Sequence, residues 1–451
     1  MKNIKIALWA SILAIAGLWF MADNLWPQPL NYFAFRNVFN QFSGVLAIGS
    51  MSICMILATR PAWLERKLDG LDKGYRLHKW MGITALVTSV AHWWFTQGTK
   101  WMVGWGWIEG GKRGPRPGGP EGAQQAAQNL EEWLRQFRHL AEDVGQYAFY
   151  IAAALLIIAL IKKIPYSWFA KLHTYMAVLY LALVFHSVIL VKFAYWAQPI
   201  GWLTAILMAA GSVAAVLVLA KKVGAKRRHS GEISAVTPYP ELNGFQLEVA
   251  VPGWVGHQAG QFAFIKSEGQ SEGAHPFTMS SAWDAAHPTL RFVVKKLGDY
   301  TSDWAGQAKA GDRVRIEGPY GCFTFDDNAA GQVWVAGGIG ITPFLARLET
   351  LAAAGGSQQP VDLFYSYHSA DSTLLAQLEN SARAAKVRLH LWPSVQLGHL
   401  SGENLRAAVP DWQQRSVWFC GGHAFGSSLR RDLQANGLPG EQFHQELFEM
   451  R

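Results

Sequence analysis

Six stretches of the chain are continuously apolar: residues 6–20, 41–58, 80–97, 146–161, 174–191 and 199–220. A bilayer core of ~30 Å takes ~20 helical residues, so each stretch is of spanning or near-spanning length and predicts a transmembrane helix. The first also fits a secretory signal, with Lys2 and Lys5 ahead of a short apolar run, but no A-x-A-like cleavage site follows before Pro27. From 231 to about 320 the pattern changes to short alternating runs, GFQLEVAV, GQFAFIKS, LRFVVKKL and DRVRIEGPYG, broken by Gly and Pro. These predict a small antiparallel barrel. From about 331, strand-like runs (QVWVAGG, VDLFYSYH, VRLHLWPS, SVWFCGG) alternate with helical ones, which predicts a parallel α/β sheet. The expected fold class is multidomain: a six-helix transmembrane bundle over 1–222, an antiparallel β-barrel over 229–327 and an α/β parallel-sheet domain over 328–451.

Positive charge orients the bundle. Arg60, Arg66, Lys67, Lys73 and Arg76 lie between the second and third stretches, Lys162, Lys163 and Lys171 between the fourth and fifth, and Lys221, Lys222, Lys226, Arg227 and Arg228 after the sixth. By the positive-inside rule all three segments are cytoplasmic, with both termini and everything after residue 228 on that side of a bacterial inner membrane. The loop at about 98–144 then falls outside. Its part GGKRGPRPGGPEG cannot pack as a helix or central strand, whereas AQQAAQNLEEWLRQFRHLAEDV has helical spacing at Leu130, Trp133, Leu134, Phe137 and Leu140. That helix fits a position on the membrane surface, a cap on the bundle or a plain solvated loop helix, with His139 a surface residue.

Composition agrees with a mixed chain. Of 451 residues 50% are hydrophobic, 16% are charged and 21 are Trp, which excludes both a disordered tail and an average soluble domain. The net charge of +8 flanks apolar runs, so it speaks for membrane orientation and not for nucleic acid. Cys54, Cys322 and Cys420 are odd in number and far apart, which supports neither a disulfide framework nor a Cys-based metal site.

Among the apolar stretches and their ends only four histidines occur, His78 and His92 around the third and His173 and His186 around the fifth. Ionisable side chains in spanning helices mark candidate functional sites. The steps of fourteen and thirteen residues correspond to ~21 Å and ~20 Å of helix. Both helices run outward, so His78 matches His173 in depth on the cytoplasmic side and His92 matches His186 outside. Two such pairs suit two stacked b-type haems, each iron held by two neutral imidazoles. Four unrelated polar residues bonding neighbouring helices is the competing reading. Fourteen residues fall ~40° short of four turns and thirteen ~140° short, an offset that needs local tightening of the fifth helix. Gly82, one turn after His78, leaves room for a flat macrocycle, and Arg36 is a candidate partner for an outer haem propionate, or a topology residue.

In the remainder, HPFTMSSA places His275, Pro276, Phe277, Thr278 and Ser281 in a strand and turn, and KKLGDYTSDW offers Thr301 and Ser302 at a helix start suited to a pyrophosphate or to an ordinary cap. VWVAGGIGITPF ends a buried strand in Gly337, Gly338 and Gly340 before Thr342 and Pro343 open a helix, a phosphate-binding layout or a tight turn. VWFCGGHAF puts Cys420 at another strand's C-terminal end, beside a ligand or buried as structure.

Taken together these residues resemble the ferric reductase/NADPH oxidase superfamily of transmembrane flavocytochromes b, with a ferredoxin-reductase-type FAD/NAD(P)H module. The histidine steps of fourteen and thirteen match that family's haem ligands. HPFTMSS is similar to its flavin motif, which implies that Phe277, Thr278 and Ser281 line FAD, that His275 and Pro276 shape the turn, and that Thr301 and Ser302 contact the flavin pyrophosphate. GGIGITPF and CGG look like the nicotinamide-nucleotide motifs, implying Gly338, Gly340, Thr342 and Pro343 on the nucleotide and Cys420 near the nicotinamide. HQELFEMR resembles the closing segment that sets Glu446 and Phe448 beside the isoalloxazine. The resemblance thus implies electron transfer from cytoplasmic NADPH or NADH through FAD and two haems to an extracytoplasmic acceptor, a ferric chelate or other small oxidant. Molecular oxygen and a periplasmic protein partner docking on the 98–144 loop are the alternatives. Two departures bear on this: His368 stands where many relatives have an Arg for a 2′-phosphate, and Thr96 stands where oxygen-reducing relatives often have a further His.

Overall fold

The computed structural model describes residues 2–110, 130–161, 163–164, 166–268, 273–369 and 371–446. Most of the Gly/Pro-rich loop segment, and Phe448, lie outside them. The chain divides into two units that part between Val223 and Gly224.

The first unit is helical: α1 (Lys2–Ala22), α2 (Tyr32–Ala58), α3 (Ala62–Leu68), α4 (Leu71–Trp93), α5 (Thr99–Gly104), α6 (Leu130–Arg135), α7 (Arg138–Leu160), α8 (Tyr166–Thr174), α9 (Met176–Leu190) and α10 (Pro199–Leu219). Among the described residues five helical segments are long and apolar enough to cross a membrane: Asn3–Ala22, Tyr32–Ala58, Arg138–Leu160, Trp168–Leu190 and Pro199–Leu219. α4 is as long, but its first turns carry Asp72, Lys73, Arg76 and Lys79, and it is not among the five.

Three long helices start well before their apolar runs: α2, α4 and α7. α2 begins at Tyr32, where the Asn31 side chain accepts from the Ala34 N–H and satisfies one of the exposed donors of the first turn. α7 begins at Arg138, so residues 138–144 are its first turns and not part of a separate loop helix; His139 is exposed there. A π-helical turn, Trp94–Gly98, continues α4 into α5. The fifth apolar stretch is broken at Tyr175, where Tyr175 N–H donates to Leu172 O (3.1 Å) and Val178 N–H to Tyr175 O (3.0 Å), the tighter spacing of a 3₁₀ turn.

The second unit holds two sheets. β1 (Arg228–Tyr239), β2 (Gly244–Ala250), β3 (Phe262–Ser267), β4 (His275–Thr278), β5 (Thr289–Lys295) and β6 (Arg313–Tyr320) form an antiparallel sheet in the order β4-β3-β6-β1-β2-β5. Its two outer strands meet again: Met279 pairs with Phe292, and Ser280 N–H donates to Arg291 O at 2.7 Å. Inward residues such as Ile233, Leu247, Ile265, Phe292 and Ile316 make one apolar core, against which α11 (Asp299–Gln307) sets Trp304.

β7 (Gly331–Gly337), α12 (Thr342–Ala353), β8 (Val361–Tyr367), α13 (Ser372–Ala384), β9 (Arg388–Pro393), α14 (Ser394–Leu397), α15 (Gly402–Ala408), β10 (Arg415–Cys420), α16 (His423–Ala435) and β11 (Phe443–Gln445) follow. The strands are parallel in the order β11-β10-β7-β8-β9. From β7 the chain winds one way to β8 and β9, then returns to the other side for β10. The switch in winding therefore falls between β7 and β10, where open α/β sheets bind ligands beyond their strand ends.

Candidate functional site

In the helical unit the four histidines form two pairs. The rings of His78 on α4 and His173 on α8 have centroids 5.9 Å apart at 72°, and those of His92 on α4 and His186 on α9 are 6.3 Å apart at 84°. Two metal–imidazole bonds of ~2 Å plus the two ring radii come to about 6 Å, so each gap accommodates one metal ion held by both rings. The outer ring atoms are tied back. His78 Nδ1 lies 3.0 Å from Cys54 O, His92 Nδ1 2.9 Å from Asn40 O and His186 Nδ1 2.8 Å from Ala141 O. A carbonyl only accepts, so Nδ1 carries the proton in all three and Nε2 keeps its lone pair for a metal. His173 Nδ1 is buried with no such partner among the described residues, and its ring stacks on Phe169 at 5.2 Å.

The break at Tyr175 lies between His173 and His186. A residue in a 3₁₀ turn advances ~120° instead of ~100°, so the tightening recovers part of the ~140° deficit that a regular helix leaves over thirteen residues. Glycines border the rings: a β-carbon on Gly44 would meet His92 at 3.3 Å, while one on Gly82 would meet nothing within 4 Å, leaving open space above His78's turn. A cavity of ≈ 1040 Å³ is walled by His92, His186, Arg36 and Thr96, at the upper end of ligand-pocket sizes. Arg36 is held there by its Nε, which donates to Phe95 O at 2.7 Å in the π-helical turn. Among the described residues no group of three or more His, Cys, Asp or Glu gathers as a metal cluster, which leaves the paired imidazoles.

In the antiparallel sheet, β4 carries His275, Pro276, Phe277 and Thr278. His275 stacks on Tyr300 at 3.8 Å and Phe277 contacts Trp304 at 5.6 Å. Thr278 Oγ1 and Ser280 Oγ are buried with no partner among the described residues, an arrangement that costs ~1–3 kcal/mol each unless a ligand supplies the bond. Ser281 is fixed from two directions: its hydroxyl accepts from Arg291 N–H (3.1 Å) and its carbonyl from His257 Nε2 (2.9 Å). Burial holds the His257 pKa below its ordinary value, so this imidazole is neutral at pH 7. Thr301 Oγ1 accepts from Leu297 and Gly298 N–H at 3.0 and 3.3 Å, so the helix cap is realised in α11; Ser302 is exposed beside it.

At the switch between β7 and β10 the chain approaches itself closely. Gly338 is left-handed (φ 55°), and a β-carbon on Gly340 would lie 2.1 Å from Cys420 O. Gly337 is pressed against Gly421, and Thr342 and Pro343 open α12 from that turn. Cys420 and Glu446 are both buried; burial, followed by the Glu446 charge, pushes the Cys420 thiol well above its ordinary pKa. His368 is exposed just past β8. Residues that no sequence signal marked are His257, Arg291 and Glu349, whereas Ser280 stands inside the HPFTMSS run and was readable there.

Residues 43–184 match the family of the ferric reductase like transmembrane component. The chain is also similar to the glycine betaine monooxygenase reductase subunit of Chromohalobacter salexigens, 27% identical over 42% of this chain and 55% of that one. Further relatives are the ferredoxin reductase component of 3-ketosteroid-9-alpha-monooxygenase from Mycobacterium tuberculosis (31% identical; 36% and 46% of the two chains) and a flavohemoprotein of Deinococcus radiodurans (27%; 43% and 51%). The chain spans about half the length of these curated relatives. It therefore joins a ferric-reductase-like membrane component to a ferredoxin-reductase-type oxidoreductase module.

Proposed function

We propose that this chain is a transmembrane reductase that takes electrons from cytoplasmic NADPH or NADH and delivers them outside the membrane. The observation that carries the reading is the pair of matched imidazole gaps, His78/His173 and His92/His186. α4 completes the five apolar segments to a six-helix bundle, because its second half, which holds His92, is apolar and its charged first turns face the cytoplasm.

FAD, when bound, would supply the conversion between two-electron and one-electron chemistry, and two b-type haems would supply one-electron carriers. The four histidines hold the irons, three of them oriented by main-chain carbonyls. Arg36, on the wall of the cavity beside His92 and His186, would be available to an outer haem propionate. β4 closes the antiparallel sheet as a barrel, and Thr278 and Ser280 give FAD the hydrogen bonds they lack otherwise. Phe277 and Ser281 line the flavin, His275 and Pro276 shape its turn, and the α11 start at Thr301 and Ser302 meets its pyrophosphate. Gly337, Gly338 and Gly340 let the nucleotide approach the backbone, with Thr342 and Pro343 at the helix start. Cys420 and Glu446 would border the nicotinamide and isoalloxazine, the role that the family resemblance also implies for Phe448.

The acceptor is a ferric chelate or similar small oxidant. Thr96, whose hydroxyl donates to Trp93 O at 2.8 Å, offers no imidazole for an oxygen site, which sets superoxide production second. Reduction of a periplasmic protein is the other alternative. An absorption spectrum of the purified, FAD-supplemented chain, before and after anaerobic NADPH and then NADH, tests the reading. Two haems per chain reduced through flavin are expected; no haem, or haem that neither nucleotide reduces, sinks it.

A further inference from the structure

Resting on that reading, the second unit contains a device that sets how its two half-sites meet. Arg291 lies on β5 and Glu349 on α12. The Arg291 guanidinium donates through Nη2 to both Glu349 carboxylate oxygens, and Glu349 Oε2 also accepts from Ala282 N–H at 3.1 Å. Arg291's own backbone holds the same segment, since its N–H donates to Ser281 Oγ (3.1 Å) and its carbonyl accepts from Ser280 N–H (2.7 Å). One carboxylate on α12 thereby closes a ring of hydrogen bonds around residues 280–282, the end of the strand that carries Thr278.

α12 is also the helix that Thr342 and Pro343 open at the switch point. Glu349 is seven residues after Thr342, two turns on the same face and ~10 Å along the axis. The apolar core beneath, where Tyr239 and Val293 of one sheet meet Trp334 of the other and Phe344 of α12, is held by a non-directional force. The Arg291–Glu349 bonds are directional. We infer that Glu349 and Arg291 are positioning residues that fix the nucleotide half-site on α12 against the flavin half-site at 278–281, and so set the approach of nicotinamide to flavin.

Hydride transfer needs the reacting atoms within ~3–3.5 Å, and a misplacement of about 1 Å costs up to ~100-fold in rate. With both side chains 25% exposed, the ion pair is partly screened and its contribution to overall stability is modest, which the parallel Tm reads directly. The two roles therefore separate in one experiment on the full-length, FAD- and haem-loaded chain: anaerobic single-turnover flavin reduction by NADPH and NADH, with bound FAD, KM and Tm measured in parallel. For Glu349→Ala a fall in flavin reduction of at least ~10-fold is expected, with FAD content and KM within ~2-fold of the parent. Glu349→Gln, which keeps an acceptor for Ala282 and Arg291, falls between the two. Flavin reduction by Glu349→Ala at the parent rate, or loss of FAD and Tm in proportion to rate in both variants, overturns the inference. A parent chain that binds FAD yet is reduced by neither nucleotide sinks the underlying reading, and this inference with it.

Discussion

A β-carbon on Gly145 would lie 1.9 Å from Nδ1 of His186. The α7 backbone comes this close because Ala141, one turn earlier, accepts the Nδ1 proton at 2.8 Å. Gly145→Ala must push the ring out of line with His92. The expected result is loss of about half the haem per chain while the His78/His173 pair keeps its own; unchanged haem content would show that the ring has room to retreat.

His92→Ala or His186→Ala removes one of two rings 6.3 Å apart and should abolish the outer haem signal. NAD(P)H reduction of FAD, which depends on the other unit, should remain within ~2-fold, as expected for well-separated sites. Equal loss of both would contradict the division of labour between the units.

Thr278→Val should act with opposite signs on the empty and loaded chain. Without FAD the isosteric change removes a buried hydroxyl lacking a partner, raising Tm slightly; with FAD it deletes one hydrogen bond, weakening affinity ~10-fold. Titration of flavin fluorescence and a thermal melt of each form read the two effects. An affinity equal to the parent's would remove Thr278 from the flavin site.

Cys420 is a protonated thiol across the ordinary working range, because burial and the nearby Glu446 raise its pKa. A thiol, not a thiolate, does not attack iodoacetamide. Mass spectrometry after treatment at pH 8 should find Cys420 unmodified in the folded chain and modified after denaturation. Stoichiometric alkylation of the native protein would refute the assignment.

Asp362 gathers His390 Nε2 (2.7 Å), Arg415 Nη1 (2.7 Å) and Arg388 at the start of the parallel strands. Burial alone would raise its pKa, but these donors and charges outweigh it and hold the carboxyl below the ordinary 3.8. A lowered folded-state value stabilises fully above the unfolded value and is lost as pH falls through the folded one. Asp362→Asn should therefore cost about 2 kcal/mol at pH 7, since the buried Arg415 is left with Asp411 as its carboxylate partner and His390 loses its own, and progressively less in melts run below pH 3.8. A pH-independent difference would assign the loss to packing.

The apolar runs were legible because burial in a bilayer leaves a continuous signature, and the short alternating runs of β2 and β5 because strands alternate faces. The first turns of α2 and α7 were not, since Arg36, Asn37 and Asn40 interrupt the run Tyr32–Asn40, and Arg138–Val144 read as the end of a separate loop helix. Strand order was equally hidden: VWVAGG and VWFCGG read as two separate turns, and only the fold sets Gly340 against Cys420. The histidine steps announced the pairs, but the thirteen-residue step required the turn at Tyr175, which no residue type there signals. Nothing in the spacing of Arg291 and Glu349 marks them as partners, because long-range ion pairs leave no local periodicity.

The carbonyls of Asn40, Cys54 and Ala141 belong to every possible side chain at those positions. The orientation of three of the four imidazoles is thus written in helix spacing and in no replaceable neighbour. Exchange at the anchor positions keeps the accepting carbonyl and acts through packing, at the buried Ala141 and at Cys54, whose thiol also donates to His78 O. Variation that tilts α2 or α7 would reach the rings without touching a histidine, so helix tilt is a lever on the paired imidazoles that loss of a side-chain hydrogen bond is not.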